Sequence, residues 1–205
     1  MEPTIRQKES AFTFAFCTGT VICALRRSDN FRPTKGMSVK SLCLVLASLT
    51  LFVAAQATPA PQLTITSLSD LPVVERTPYD ESANADAAVN AAFARARQNG
   101  KRVLIDLGGN WCGDCIVLAN IMQLPQMKPF IAAHFEVVAI DVGRFDKNLQ
   151  IPARFGITGR LEGVPAVIIA EPDGKLVNGG HIAALADARH MTAQSIANWL
   201  AQWAK

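Results

Sequence analysis

Residues 103–115 read Val103-Leu-Ile-Asp-Leu-Gly-Gly-Asn-Trp-Cys-Gly-Asp-Cys115. Lys101–Leu107 reads as a strand: after Lys101-Arg102 it is an apolar run broken only by Asp106, the pattern of a central strand buried on both faces. Gly108-Gly109 turns the chain, and the cysteines then open a helix that runs to about Met122. Two thiols at this spacing lie one helical turn apart. Such a pair can exchange electrons, ligate a metal, or lock a turn, and the motif by itself leaves all three open.

The flanking sequence extends the pattern. Asn84 is placed to cap a helix in which Val89, Ala92, Phe93 and Ala96 recur at helical spacing, and Gly100 ends it. After the cysteine helix, Pro125 and Pro129 interrupt or restart helical structure. Glu136–Val142 is a second buried strand and Val164–Ala170 a third. The turn Glu171-Pro-Asp-Gly174 joins the third to Lys175–Val177 as a hairpin. Thr192 caps a last helix whose stripe Ile196, Trp199, Leu200, Trp203 reads as a core face. One short strand is expected at Leu63–Thr66. The sum is an α/β fold, a central mixed sheet flanked by helices in a single domain, with the cysteines beyond a strand's carboxyl end.

The 205 residues carry a net charge of +3, unevenly spread. Residues 1–57 hold seven Lys/Arg against three Asp/Glu, and residues 58–205 hold thirteen against fourteen. A near-neutral body without a basic stripe gives no electrostatic basis for nucleic-acid binding. Cys17, Cys23 and Cys43 fall in the basic front, so its removal leaves one cysteine pair and no odd thiol, as suits an oxidising compartment. Met37-Ser-Val-Lys40, the apolar run after it and Ala55-Gln56-Ala57 read as a cleaved secretory signal over 37–57. The apolar run is shorter than the roughly 18–20 residues a membrane span requires. Residues 1–36 are then an upstream extension or a mis-set start; a leader built on residues 11–25 is the alternative. Residues 58–84, opening with Thr58-Pro-Ala-Pro-Gln62, read as a linker and N-terminal extension.

The segment Val103–Cys115, the order of strands and helices over residues 85–205, and Gly163-Val164-Pro165 together resemble the thioredoxin superfamily, and most closely its exported bacterial thioredoxin-like members. The resemblance implies a thiol-disulfide oxidoreductase with a redox-active Cys112–Cys115 disulfide and no cofactor. Cys112, at a helix N-terminus where unpaired N–H groups favour a thiolate, is the expected nucleophile, and Cys115 the resolving thiol. A carboxyl at Asp106 is costly unless paired and tends to titrate high; the resemblance gives it proton transfer for Cys115. Pro165 matches the family's cis-proline, which places Val164 where the substrate peptide's backbone pairs. Trp111, before the thiols, and Gly113, between them, are expected with Asp114 to tune the pair, and Trp111 also to border the substrate. Gly108 stands where the family has a tryptophan, so Trp111 alone is expected to shield the site. The segment Gly156–Gly163 is longer than in small thioredoxins. Asp114 is read as an exposed carboxylate that raises the Cys112 pKa and moves the pair toward the reducing end.

The partners implied are protein thiol and disulfide substrates and a membrane electron donor, in a bacterial periplasm or outside the cell, with no stable membrane insertion after signal cleavage. Two other classes stay open: a copper or zinc module and an interaction module with a structural disulfide. Against zinc, the body has no second cysteine pair, and His134, His181 and His190 lie at no ligand-like spacing.

Overall fold

The computed structural model describes residues 58–205; the signal and upstream segments expected over 1–57 lie outside the described residues. Three strands form a mixed sheet in the order β2-β1-β3: β1 is Arg102–Gly108, β2 Phe135–Asp141 and β3 Ala166–Ala170. β2 runs parallel to β1, with Asp106 opposite Ala139, and β3 antiparallel to it, with Asp106 opposite Val167. β1 is thus the central strand that its apolar run, broken only by Asp106, implies, and Val103–Leu107 is buried throughout.

Helices cover both faces. α1 (Ala85–Asn99) is capped by Asn84, whose side chain accepts from Ala87 N, and stops at Gly100 in the left-handed region (φ 76°). Its Val89, Ala92 and Ala96 pack with Val103, Ile105, Leu107 and Ile168. α2 (Gly113–Met122), α3 (Met127–His134) and α5 (Ala193–Gln202) cover the other face around Leu104, Val167 and Ile169. Thr192 caps α5, and of its stripe Ile196 and Leu200 are fully buried. A one-turn α4 (Gln150–Ala153) and a 3-10 turn at Ala188–His190 complete the body. Among the described residues no helix is long and apolar enough to cross a membrane.

The edges differ from the sequence reading. No strand forms at Leu63–Thr66; Leu63 N donates to Gln194 Oε1 instead, and a 3-10 turn follows at Leu68–Asp70. β3 begins at Ala166, not Val164, because Pro165 has no N–H to give a ladder. The hairpin at Lys175–Val177 reduces to one bridge, Ala170 to Leu176. The outer edge of β3 is closed in part by a side chain: buried Asn178 accepts from Ile169 N at 2.8 Å and donates to Val167 O at 2.8 Å, while Ile169 O accepts from Val177 N and Val167 N donates to Ile182 O. An asparagine amide presents the same donor and acceptor as a peptide, so the side chain stands in for one peptide of a neighbouring strand there.

Candidate functional site

β1 ends at Gly108, and the chain turns through Gly109 and Asn110 into α2, which sets both cysteines at the sheet's carboxyl edge. Cys112 is the N-cap of α2: its Sγ accepts from Cys115 N at 3.2 Å and lies 3.4 Å from Val164 O. Both thiols are free, Cys115 fully buried and Cys112 nearly so. A sulfur at this cap meets unpaired N–H groups and the positive end of the helix dipole. The Cys112 pKa is brought down to about 7, chiefly by the hydrogen bond from the Cys115 side chain, against burial and the Asp114 charge. Cys115 is pushed far up by that same bond and by burial. The pair is therefore split into a thiolate former and a thiol that keeps its proton.

Asp106 is 1% exposed, which rules out a strand-end carboxylate facing water. Burial pushes its pKa up to about 7, opposed by a hydrogen bond from Tyr79 Oη to Oδ2 at 3.0 Å. Its Oδ1 is buried without a protein partner. The Val164–Pro165 bond is cis and faces the cysteines across the Val164 carbonyl.

Two expectations need correction. Asp114 is not an exposed charge: its side chain is 10% exposed and held by Arg189, through the backbone N–H at 2.9 Å, Nε at 3.1 Å and Nη2 at 3.1 Å. The arginine pairs with the carboxylate, whose charge still opposes a thiolate at Cys112 but is outweighed by the hydrogen bonds that the sulfur receives. The arginine crosses over Gly113, where a Cβ would stand 3.1 Å from Arg189 Cδ and press on it.

Nor does Trp111 shield the site alone. It is 43% exposed, its Nε1 donating to Gly143 O at 2.7 Å, with the Arg144 guanidinium 4.8 Å from its ring and Phe145 beside it. The inner shield is Tyr79, 1% exposed and seated against Gly108. A Cβ on Gly108 would lie 2.5 Å from Tyr79 Cζ, with Oη closer still, and 2.8 Å from Cys115 Sγ. The tyrosine fills the space that a side chain at position 108 would take.

Tyr79, Asn110 and Arg189 escaped the sequence reading. Asn110 holds Tyr79 from within the motif: its Oδ1 accepts from Tyr79 N at 3.1 Å and its Nδ2 donates to Tyr79 O at 2.9 Å. One signal was available for Tyr79. It is the chain's single tyrosine, set in a polar stretch, while position 108 lacks the bulk its family carries. Of the histidines, His134 ends α3 against Lys205 O, His181 stacks on Trp203 and His190 pairs with Asp187. Among the described residues no group of three or more His, Cys, Asp or Glu is arranged to hold a metal.

A buried cysteine pair at the head of a helix, beside a buried carboxyl and a cis-proline, defines a thiol-disulfide exchange site on an α/β sheet. A family model described as thioredoxin-like matches residues 84–172. Over 80 residues the chain is 31% identical to the thioredoxin of Alicyclobacillus acidocaldarius, spanning 39% of this chain and 68% of that protein. The chain belongs to the thioredoxin superfamily, with its thioredoxin-like fold, and is a thiol-disulfide oxidoreductase. It is also 34% identical over 91 residues to the thiol:disulfide interchange protein DsbD 1 of Pseudomonas aeruginosa, covering 43% of this chain and only 14% of that one. The crystal structure of a disulphide isomerase from Xylella fastidiosa Temecula1 superposes with a TM-score of 0.57 at 39% identity, over 62% of this chain and 95% of that one.

Proposed function

We propose that this protein is an exported reductant of protein disulfides, in which Cys112 attacks, Cys115 resolves and Asp106 takes the resolving proton. The asymmetry between the two thiols carries this reading: Cys112 near pKa 7 at the helix cap, Cys115 buried and raised. The Cys112 thiolate attacks one sulfur of a substrate disulfide, giving a mixed disulfide and a substrate thiolate. Cys115 gives up its proton to Asp106 and attacks Cys112 Sγ. The Cys112–Cys115 disulfide forms, and the second substrate sulfur leaves as a thiolate. The protein ends oxidised by two electrons and the substrate reduced by two, so an external dithiol must return it to the reduced state. Val164, beside Cys112, is the backbone on which the substrate peptide would pair, with Pro165 against the sulfurs.

The direction rests on the Cys112 pKa. Strong oxidants of this chemistry owe their potential to a very stable thiolate, with a pKa of about 3.5, whereas about 7 goes with a reductant. Export through a signal at 37–57, a periplasmic or extracellular site, a thioredoxin-like domain over 85–205 and a membrane electron donor belong to the same proposal. The likeness to a thiol:disulfide interchange protein is consistent with such a donor. Insulin reduction is the test: wild type should turn over with dithiothreitol, Cys112→Ser should not, and Cys115→Ser should accumulate mixed disulfides. Equal rates for wild type and Cys112→Ser overturn the reading. A glutathione redox titration should place the pair nearer about −270 mV than about −120 mV, and a value above about −180 mV overturns the direction.

A further inference from the structure

In the proposed resolving step the Cys115 proton passes to Asp106, and a third group, the Tyr79 phenol, lies beside both. Tyr79 Oη donates to Asp106 Oδ2 at 3.0 Å, and a Cβ on Gly108 would meet both the phenol, with Cζ at 2.5 Å, and Cys115 Sγ, at 2.8 Å, so phenol and thiol border the same small space. The phenol is buried, and its backbone is clamped on both sides by Asn110, two residues before Cys112. Asn120, further along α2, accepts from Val74 N at 2.6 Å and Glu75 N at 2.8 Å and donates to Glu75 O at 2.7 Å. Two asparagines flanking the cysteines thus fasten the segment that carries Tyr79, and such binding exceeds what a simple linker requires.

We propose that Tyr79 is the relay of the resolving step: its oxygen accepts the Cys115 thiol proton as its own proton passes to Asp106 Oδ2. One S–H and one O–H bond break, and two O–H bonds form. Cys115 is left a thiolate, Tyr79 neutral as before, and Asp106 a carboxylic acid. The thiolate then closes the Cys112–Cys115 disulfide. The phenol suits this duty because burial, Asp106 and Cys115 all disfavour the phenolate, so Tyr79 passes a proton without holding a charge. The titratable groups facing the relay are Asp106 from β1 and Cys112 and Cys115 from α2, with the Asp114–Arg189 pair on the outer side of Cys112. Gly108 belongs to the arrangement, because any side chain there would displace the phenol or the sulfur.

The proposal rests on the disulfide-exchange reading, and one stopped-flow experiment separates the two. Reduced protein mixed with 5,5′-dithiobis(2-nitrobenzoate) should release two thionitrobenzoate anions: the first by attack of Cys112, the second by attack of Cys115 on the mixed disulfide. In Tyr79→Phe the second phase should slow relative to the first by about tenfold or more, general-base contributions of 10²–10⁴ setting the upper range. Asp106→Asn should slow it as well, and Tyr79→Phe added to Asp106→Asn should cost nothing further, since both remove one path. The wild type gives an independent reading if a variant folds poorly: in mixtures of H2O and D2O a two-proton relay makes the second phase depend on the deuterium fraction along a curve. A straight line overturns the relay, as does a Tyr79→Phe ratio equal to wild type or an additive double variant. A wild type without a second phase overturns the exchange reading, and the relay with it.

Discussion

A carboxyl group moved from water into the interior is costly in its charged form, and Asp106 shows where that cost appears. Between its ordinary value of 3.8 and about 7 the folded protein holds a proton that the unfolded chain has lost. The folded state binds more protons in that window, so stability falls as pH rises through it and the penalty is complete above about pH 7. The rise from 3.8 to about 7 corresponds to roughly 4 kcal/mol at most. Asp106→Asn, placed in a Cys112→Ser background to remove the neighbouring thiolate, should stabilise the protein by roughly 2–4 kcal/mol at pH 8 and little at pH 4. Urea unfolding at the two pH values checks this; an equal gain at both would show that burial is not the cause. The Asp114–Arg189 pair makes a second residue-scale prediction. Asp114→Asn leaves the guanidinium unopposed beside Cys112, and Arg189→Gln leaves the carboxylate. The Cys112 pKa should fall in the first and rise in the second, each by up to about one unit given the exposure of Arg189. The pH dependence of iodoacetamide alkylation reads both, and shifts of the same sign would refute the charge argument. The motif gave Asp114 a place but not a partner, because Arg189 lies 75 residues away and arrives through a short turn with no periodic pattern.

Elements built on periodic apolar residues were legible, and those built on single polar side chains were not. α1, β1, α2, β2 and α5 fall within a residue or two of the sequence reading, because α1 and α5 bury a repeating face, β1 and β2 are nearly continuous apolar runs, and the cysteine motif marks the start of α2. The failures sit at the sheet's edge. Lys175–Val177 has the composition of a return strand, yet the pairing stops after Val177 N bonds Ile169 O, and the Asn178 side chain takes Ile169 N and Val167 O. Nothing in a sequence distinguishes an asparagine that will pair with backbone from one that will face water. The structure makes the difference measurable. Asn178→Ala orphans a buried N–H and a buried C=O and should cost roughly 2–4 kcal/mol, where a solvent-facing asparagine would cost within about 0.5. Thermal unfolding of the variant decides between the two; a loss below about 1 kcal/mol would mean that water or the Leu176 bridge satisfies the edge unaided.

At the scale of the molecule, the segment read as linker and N-terminal extension packs against the body. Its composition, rich in Pro, Thr, Ser and Asp, shows no period, and a sequence without a period reads as extended chain. Three-dimensional neighbours decide otherwise. Leu71 joins the core formed by α2, α3 and α5, Tyr79 joins the one around the cysteines, and Gln194, Asn120 and Asn110 pair with the backbone between Pro61 and Tyr79. The domain's stability should therefore depend on residues that precede its first helix. A chain begun at Asn84 keeps every helix and strand but loses two buried side chains. Their deletion costs roughly 2–5 kcal/mol for the leucine and 3–5 for an aromatic, before counting the asparagines left unpaired. Against a total stability of 5–15 kcal/mol, such a loss brings the shortened chain close to unfolding. Urea denaturation of the chains begun at Thr58 and at Asn84 should show a midpoint far lower in the second. The slope should also fall slightly, since less surface is buried on folding. The cysteines supply a second reading of the same event: with Tyr79 gone, Cys115 should lose its protection from alkylation while the thiolate at Cys112 survives, because the helix cap that supports it begins at position 112. A shortened chain with an unchanged midpoint and a protected Cys115 would return residues 58–83 to the role of a tether and move the shield of the site back to Trp111.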